Sequence, residues 1–207
     1  MEESLEVRRF WFGTGPHTLE ALDARQRLWF GAGASREEQR ALDALIRDRF
    51  GPLMERAATG VLTAWADSPH RRLSLILLLD QFPRHVFRGT ARAFATDGAA
   101  LSLSLSGMQA AADVALSPLE RIFFYMPLQH AERPDAHDES VAAYRRLLAE
   151  APETLRPLFA GALDSAELHR SIVLRFGRFP HRNVALGRAA TPEEEAYLAT
   201  GVRRFGQ

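Results

Sequence analysis

Leu73-Ser74-Leu75-Ile76-Leu77-Leu78-Leu79-Asp80-Gln81-Phe82-Pro83 is the run on which the fold turns. It is opened by Ser68-Pro69. There the serine can accept an orphan backbone N–H, and the proline suits the first helical position. A helix with leucine on nearly every side has no face to give to water, so the spacing predicts a central, wholly buried helix over 69–81. The apolar stretch from Leu73 to Leu79 is far shorter than the roughly 18 residues needed to suggest a membrane span. Pro83 has no N–H and bars its predecessor from α geometry, so the helix is predicted to stop at Phe82.

Helix signals dominate outward from this run. Ala, Leu, Arg and Glu fill the 207 residues, and β-branched residues are sparse. Ser35 with Glu38, Ser117 with Glu120 and Thr191 with Glu194 stand at capping-box spacing. Helices are predicted at about 4–12, 19–29, 36–58, 69–81, 96–110, 118–126, 137–149, 153–176 and 192–203, with Pro127 breaking the sixth. No linker-like stretch divides the chain. The expected architecture is all-α: one compact domain of about nine helices over residues 1–207.

Composition excludes several chemistries. The 26 basic residues are all arginine and balance 26 acidic ones, for a formal net charge of +0. That argues against nonspecific binding of nucleic acid or of a membrane surface through overall charge. Without lysine there is no Schiff base and no P-loop lysine. Without cysteine there is no disulfide, thiol nucleophile or cysteine zinc site. The start, Met1-Glu2-Glu3-Ser4, shows no basic segment followed by an apolar run, so the chain is expected to be soluble and cytoplasmic.

Two corners share a pattern. Phe82-Pro83-Arg84-His85 and Phe179-Pro180-His181-Arg182 each follow an apolar helix and present two basic side chains. From Leu168 to Arg188 there are five arginines and two histidines, His169 and His181, with no acid. Arginine holds a carboxylate or phosphate in a two-bond fork, and histidine exchanges protons near neutrality. Three readings stand open. The arginines pair with acids of other helices and lock the fold, or they line an anion-binding pocket, or they contact nucleic acid. The last lacks a matching RNA-recognition consensus. His169, Ile172 and Phe176 share one helical face, so His169 is either a core histidine or a ligand-binding one. Asp80, at the end of an apolar helix, needs a cationic partner, with Arg84, Arg175 and Arg178 the candidates.

His130 and Glu132 lie just past Pro127. In a continuous helix they would point about 200° apart, so they can converge only in irregular backbone. They are a buried structural pair, a pair orienting a catalytic imidazole or, with His137, metal ligands. The His-Glu-x-x-His zinc motif is absent. Trp11, Phe12, Trp29 and Phe30 read as core or lid aromatics.

Four blocks carry a resemblance. They are Phe10-Trp11-Phe12-Gly13; Leu79-Asp80-Gln81-Phe82-Pro83-Arg84 with Phe87-Arg88-Gly89 and Phe94-Ala95-Thr96-Asp97; Glu120 with Tyr125-Met126-Pro127-Leu128-Gln129-His130-Ala131-Glu132; and His169 with Arg175-Phe176-Gly177-Arg178-Phe179-Pro180-His181-Arg182-Asn183. Over about residues 7–200 the chain resembles the family catalogued as domain of unknown function 924. The resemblance implies a tetratricopeptide-like helical fold and no particular activity.

The leading expectation is a pocket for a small anionic molecule. Gln81, Arg84, Arg88, His169, Arg175, Arg178 and Arg182 would bind it, and His130 with Glu132 or His181 would move protons. No cofactor or metal is called for. The competing expectations are a helical adaptor for a peptide or protein partner and a purely structural ion-pair network. Oligomeric state is left open.

Overall fold

The computed structural model describes residues 2–15 and 19–201. Among them the chain forms nine helices and no strand. They are α1 (Glu2–Phe12), α2 (Leu19–Phe30), α3 (Arg36–Ala58), α4 (69–86, in three parts described below), α5 (Asp97–Gln109), α6 (Pro118–His130), α7 (Pro134–Glu150), α8 (Arg156–Phe176) and α9 (Pro192–Ala199). Short 3-10 turns join several of them.

The three predicted capping boxes form, at Ser35–Glu38, Ser117–Glu120 and Thr191–Glu194. In each the hydroxyl accepts the N3 amide and the glutamate accepts the cap amide, which answers two orphan donors. Ser68 differs: its side chain caps nothing, and only its carbonyl joins the helix, accepting from the Arg72 amide at 2.8 Å. The predicted stretch to 203 ends at Ala199 with a turn, and residues 202 and 203 lie outside the described part.

The buried helix does not stop at Phe82. It runs as α-helix over Pro69–Ile76, widens into a π-helical turn over Leu77–Gln81, and continues as α-helix over Phe82–Val86. The Phe82 amide bonds the carbonyl of Leu77, five residues back. The wide turn is how the helix absorbs Pro83, and other side chains satisfy the carbonyls it leaves open. The Thr96 hydroxyl donates to the Leu79 carbonyl at 2.5 Å, and the Arg84 guanidinium donates to that of Asp80 at 2.9 Å. Every residue of the turn is buried. Such turns are rare and gather at functional sites.

Pro127 likewise fails to break its helix, and α6 continues to His130. Hydroxyls support the backbone around it. Ser104 donates to the Phe124 carbonyl and Tyr144 to that of Ile122, both at 2.7 Å. A proline inside a helix is tolerated where neighbours satisfy its surroundings in this way.

The core is aromatic and continuous from Val7 to Ala166. Trp11 of α1 packs on Phe82 and Phe123, and Phe10 and Phe50 on Phe82. Helix α4 is thus surrounded, touching α1, α3, α5 and α6. α7 packs between α6 and α8. A small second cluster, Ile172, Val173 and Phe179, seats the loop after α8. No described helix is long and apolar enough to cross a membrane.

Candidate functional site

The end of α2, the start of α3, the end of α4, α6 from Ile122 to His130 and α8 from Pro157 to His169 enclose a cavity of about 1000 Å³. The sequence dictates which side chains reach it. Gln81, Arg84, His85 and Arg88 recur at i, i+3, i+4 and i+7, the spacing of one helical stripe, and all four line the cavity. Gln129 and His130 come from α6, and Ser165 and His169 from one face of α8. Trp29, Phe30, Phe123 and Met126 supply the apolar wall.

Behind this lining stands a buried charged chain. Asp80 is fully buried, and its Oδ1 lies 2.7 Å from Nδ1 of His130. Gln81 donates to the other carboxylate oxygen. Arg84 approaches Asp80 at 3.5 Å but turns its Nη1/Nη2 fork onto Asp97, at 2.8 and 3.0 Å. Arg182 meets Asp97 at 3.2 Å, with its guanidinium packed over the rings of Phe94 and Phe179.

Burial alone would raise the Asp80 carboxyl, but the charges and hydrogen bonds of His130, Arg84 and Gln81 outweigh it and hold it well below the usual carboxylate range. His130 is pushed below its ordinary value by burial and by Arg84, against the pull of Asp80. The imidazole is therefore neutral at pH 7, with Nδ1–H donating to Asp80 and Nε2 left as the basic nitrogen. No described side chain or backbone group hydrogen-bonds that Nε2. Arg182 is pushed down to about 10 by burial first and by Arg84 second, and stays charged.

The expected site residues divide. Gln81, Arg84, Arg88, His130 and His169 line the cavity. Glu132 does not pair with His130, although the chain does leave the helix in extended geometry at Ala131. Its carboxylate instead takes both Nη atoms of Arg188, at 2.6 and 2.9 Å, and the Phe179 amide at 2.8 Å. Arg178 forms a two-bond fork with buried Glu194 at 2.6 and 2.8 Å, and Arg175 pairs with exposed Glu193 at 2.8 Å. Arg182 belongs to the chain behind the lining. His181 packs on Phe179 outside the cavity. Among the described residues no three His, Asp or Glu side chains are gathered as for a metal ion.

Two contributors carried no signal of this role in the sequence. Asp97 opens α5, where an acid suits the positive end of the helix dipole, yet it also holds both Arg84 and Arg182. Asp43 of α3, itself in the cavity lining, receives His85 at 3.2 Å and Arg88 at 3.3 Å. Only the amphipathic position of Asp43 on α3 could have marked it, and nothing local names its partners.

Stability should fall on acidification. His169 is pushed down to about 3, chiefly by burial, and His181 to about 3 by burial and then by Arg182. The unfolded chain binds these protons near pH 6.5 and the folded chain does not. Their contribution is thus whole above that pH and is lost as pH falls towards 3, at about 1.4 kcal/mol per pH unit for each histidine. Denaturant titrations at pH 7 and 5 should therefore differ by roughly 4 kcal/mol for the pair. Equal stability at both would contradict the burial of these rings.

No curated protein matches the chain in sequence. The solved structure of the protein of unknown function ATU0120 from Agrobacterium tumefaciens is similar, with 40% sequence identity over 89% of this chain and 100% of that chain, and a TM-score of 0.65. The sequence profile described as a bacterial protein of unknown function matches residues 7–202, including all four blocks around the buried Asp80 chain. The chain thus belongs to the family of domain of unknown function 924.

Proposed function

We propose that the cavity binds a small anionic substrate and that His130, held by Asp80, acts on it as a general acid–base. One observation carries the reading: an imidazole lining a 1000 Å³ cavity has its Nδ1 2.7 Å from a fully buried carboxylate. A carboxylate behind an imidazole fixes the tautomer, orients the ring and stabilises the imidazolium that forms when Nε2 takes a proton. Arg84 supplies the anchor. Its Nη fork faces Asp97, but no hydrogen bond leaves its Nε among the described residues, so that edge can meet an anion. Gln81 and His169 add polar contacts from opposite walls. Arg88 stands farther out beside Asp43. An adaptor for a protein partner draws less support, because this polar set turns inward.

The test is a thermal-shift screen of carboxylate- and phosphate-bearing metabolites, run on the parent, Arg84→Gln and His130→Gln. A true ligand at 100 times its dissociation constant stabilises the parent by about 2.7 kcal/mol. The gain should vanish in Arg84→Gln and survive in His130→Gln, which should bind but not turn over. No anion shifting the parent, or shifts indifferent to Arg84→Gln, would defeat the reading.

A further inference from the structure

We infer that the ligand is a planar aromatic carboxylate, with its acid group inward at Arg84 and its ring against Phe30 at the cavity mouth. The inference rests on the anion reading above and narrows it. Phe30 ends α2 and is 55% exposed, a large ring left open to solvent while lining a cavity. Its plane lies within 12° of that of Phe123, with centroids 6.4 Å apart, and Trp29 meets Phe123 at 4.8 Å. Phe123 and Trp29 are buried wall, whereas Phe30 offers a bare aromatic face beside them. Such a face favours a flat ring, through offset or edge stacking, over a puckered one of equal size.

Charge selects the head group. Asp80 and Asp97 balance Arg84 and Arg182, and His130 is neutral, so the inner end carries no surplus cation. A monoanion meeting one unused guanidinium edge adds one charge beside the two fixed carboxylates, whereas a phosphate dianion adds two beside the same pair and is repelled more. Orientation follows from occupancy. At the outer end the Nε and Nη2 of Arg88 both face Asp43 at 3.3 Å. The cavity, at about 1000 Å³, leaves room for a ring between the two polar ends.

The probes are benzoate, cyclohexanecarboxylate and phenyl phosphate, titrated calorimetrically into the parent, Phe30→Leu and Phe30→Ala. Phe30 is exposed, so both variants should fold, and their melting temperatures check this. Benzoate should bind the parent about tenfold tighter than cyclohexanecarboxylate, a preference that falls to within about twofold in both variants. Phenyl phosphate should bind more weakly than benzoate. Equal binding of the two carboxylates, an aromatic preference that survives Phe30→Leu, or tighter binding of phenyl phosphate overturns this inference and leaves the anion reading standing. Failure of all three probes to bind overturns this inference alone if the metabolite screen finds an Arg84-dependent anion, and both readings if it does not.

Discussion

Asp80→Ala should lower the unfolding free energy by about 3–5 kcal/mol, the cost of breaking a buried ion pair from one side. The carboxylate is fully buried and touches His130, Arg84 and Gln81 at once. Without it, Arg84 keeps only the Asp97 side of its compensation, and His130 loses the acceptor for Nδ1–H. Nothing apolar repacks in place of the lost charge. Guanidinium denaturation at pH 7 measures the loss, and a change below about 1 kcal/mol would show that the carboxylate is not the ion the geometry requires. Asp80→Asn separates the two roles. It preserves shape and one acceptor, so most stability should return. The amide, however, can also present N–H to the ring and select the wrong tautomer. Histidine ring nitrogen shifts would reveal that exchange.

Trp11→Ala is the second large effect, again about 3–5 kcal/mol, because a fully buried indole leaves a cavity that its neighbours cannot close. Trp11 packs edge-on against Phe123 at 5.5 Å and His85 at 5.8 Å, and tilted on Phe82 at 5.4 Å. Two of these, Phe123 and His85, line the candidate site, so the variant should lose ligand response beyond what instability explains. Trp11→Phe should cost clearly less than Trp11→Ala, because it leaves a smaller cavity. The indole Nε1 is buried without a hydrogen-bond partner among the described residues, and phenylalanine removes that unanswered donor along with some volume. A full-size loss in Trp11→Phe would mean that the nitrogen has a role the contacts do not reveal. The neighbouring Trp29 is the contrast: its Nε1 donates to the Trp11 carbonyl at 3.0 Å.

The fold was legible because its signals are local. A hydroxyl and a glutamate three residues apart suffice to start α3, α6 and α9, and the leucine run suffices to bury α4. The prolines misled for the same reason. Pro83 and Pro127 each remove a local bond, and the local inference is a helix end. What keeps both helices going is tertiary: hydroxyls of Thr96, Ser104 and Tyr144, from other helices or their flanks, take the nearby carbonyls. The site shows the same division. His130 and Arg84 could be singled out by residue type beside a helix break. The partner of His130 is Asp80, 50 residues away, rather than Glu132 at two. Such a pairing is set by how α4 and α6 pack, and no spacing within either segment encodes it.

The wide turn in α4 has a further consequence. Each α-helical residue turns the chain by about 100°, and a π-helical turn holds one residue more than a regular one. Deleting any residue of Leu77–Gln81 would let the helix run through evenly. The widened turn takes up its extra residue within one turn, so such a deletion would leave the helix on either side in the same phase. Leu73, Ser74 and Ile76 are buried on one side of the turn, while Gln81, Arg84, His85 and Arg88 face the cavity from the other. Drawing the turn into even α-helix with every residue kept would instead rotate one set against the other by that angle. The bulge is thus what lets a chain carrying one residue more present the same core face and the same cavity face as a chain without it.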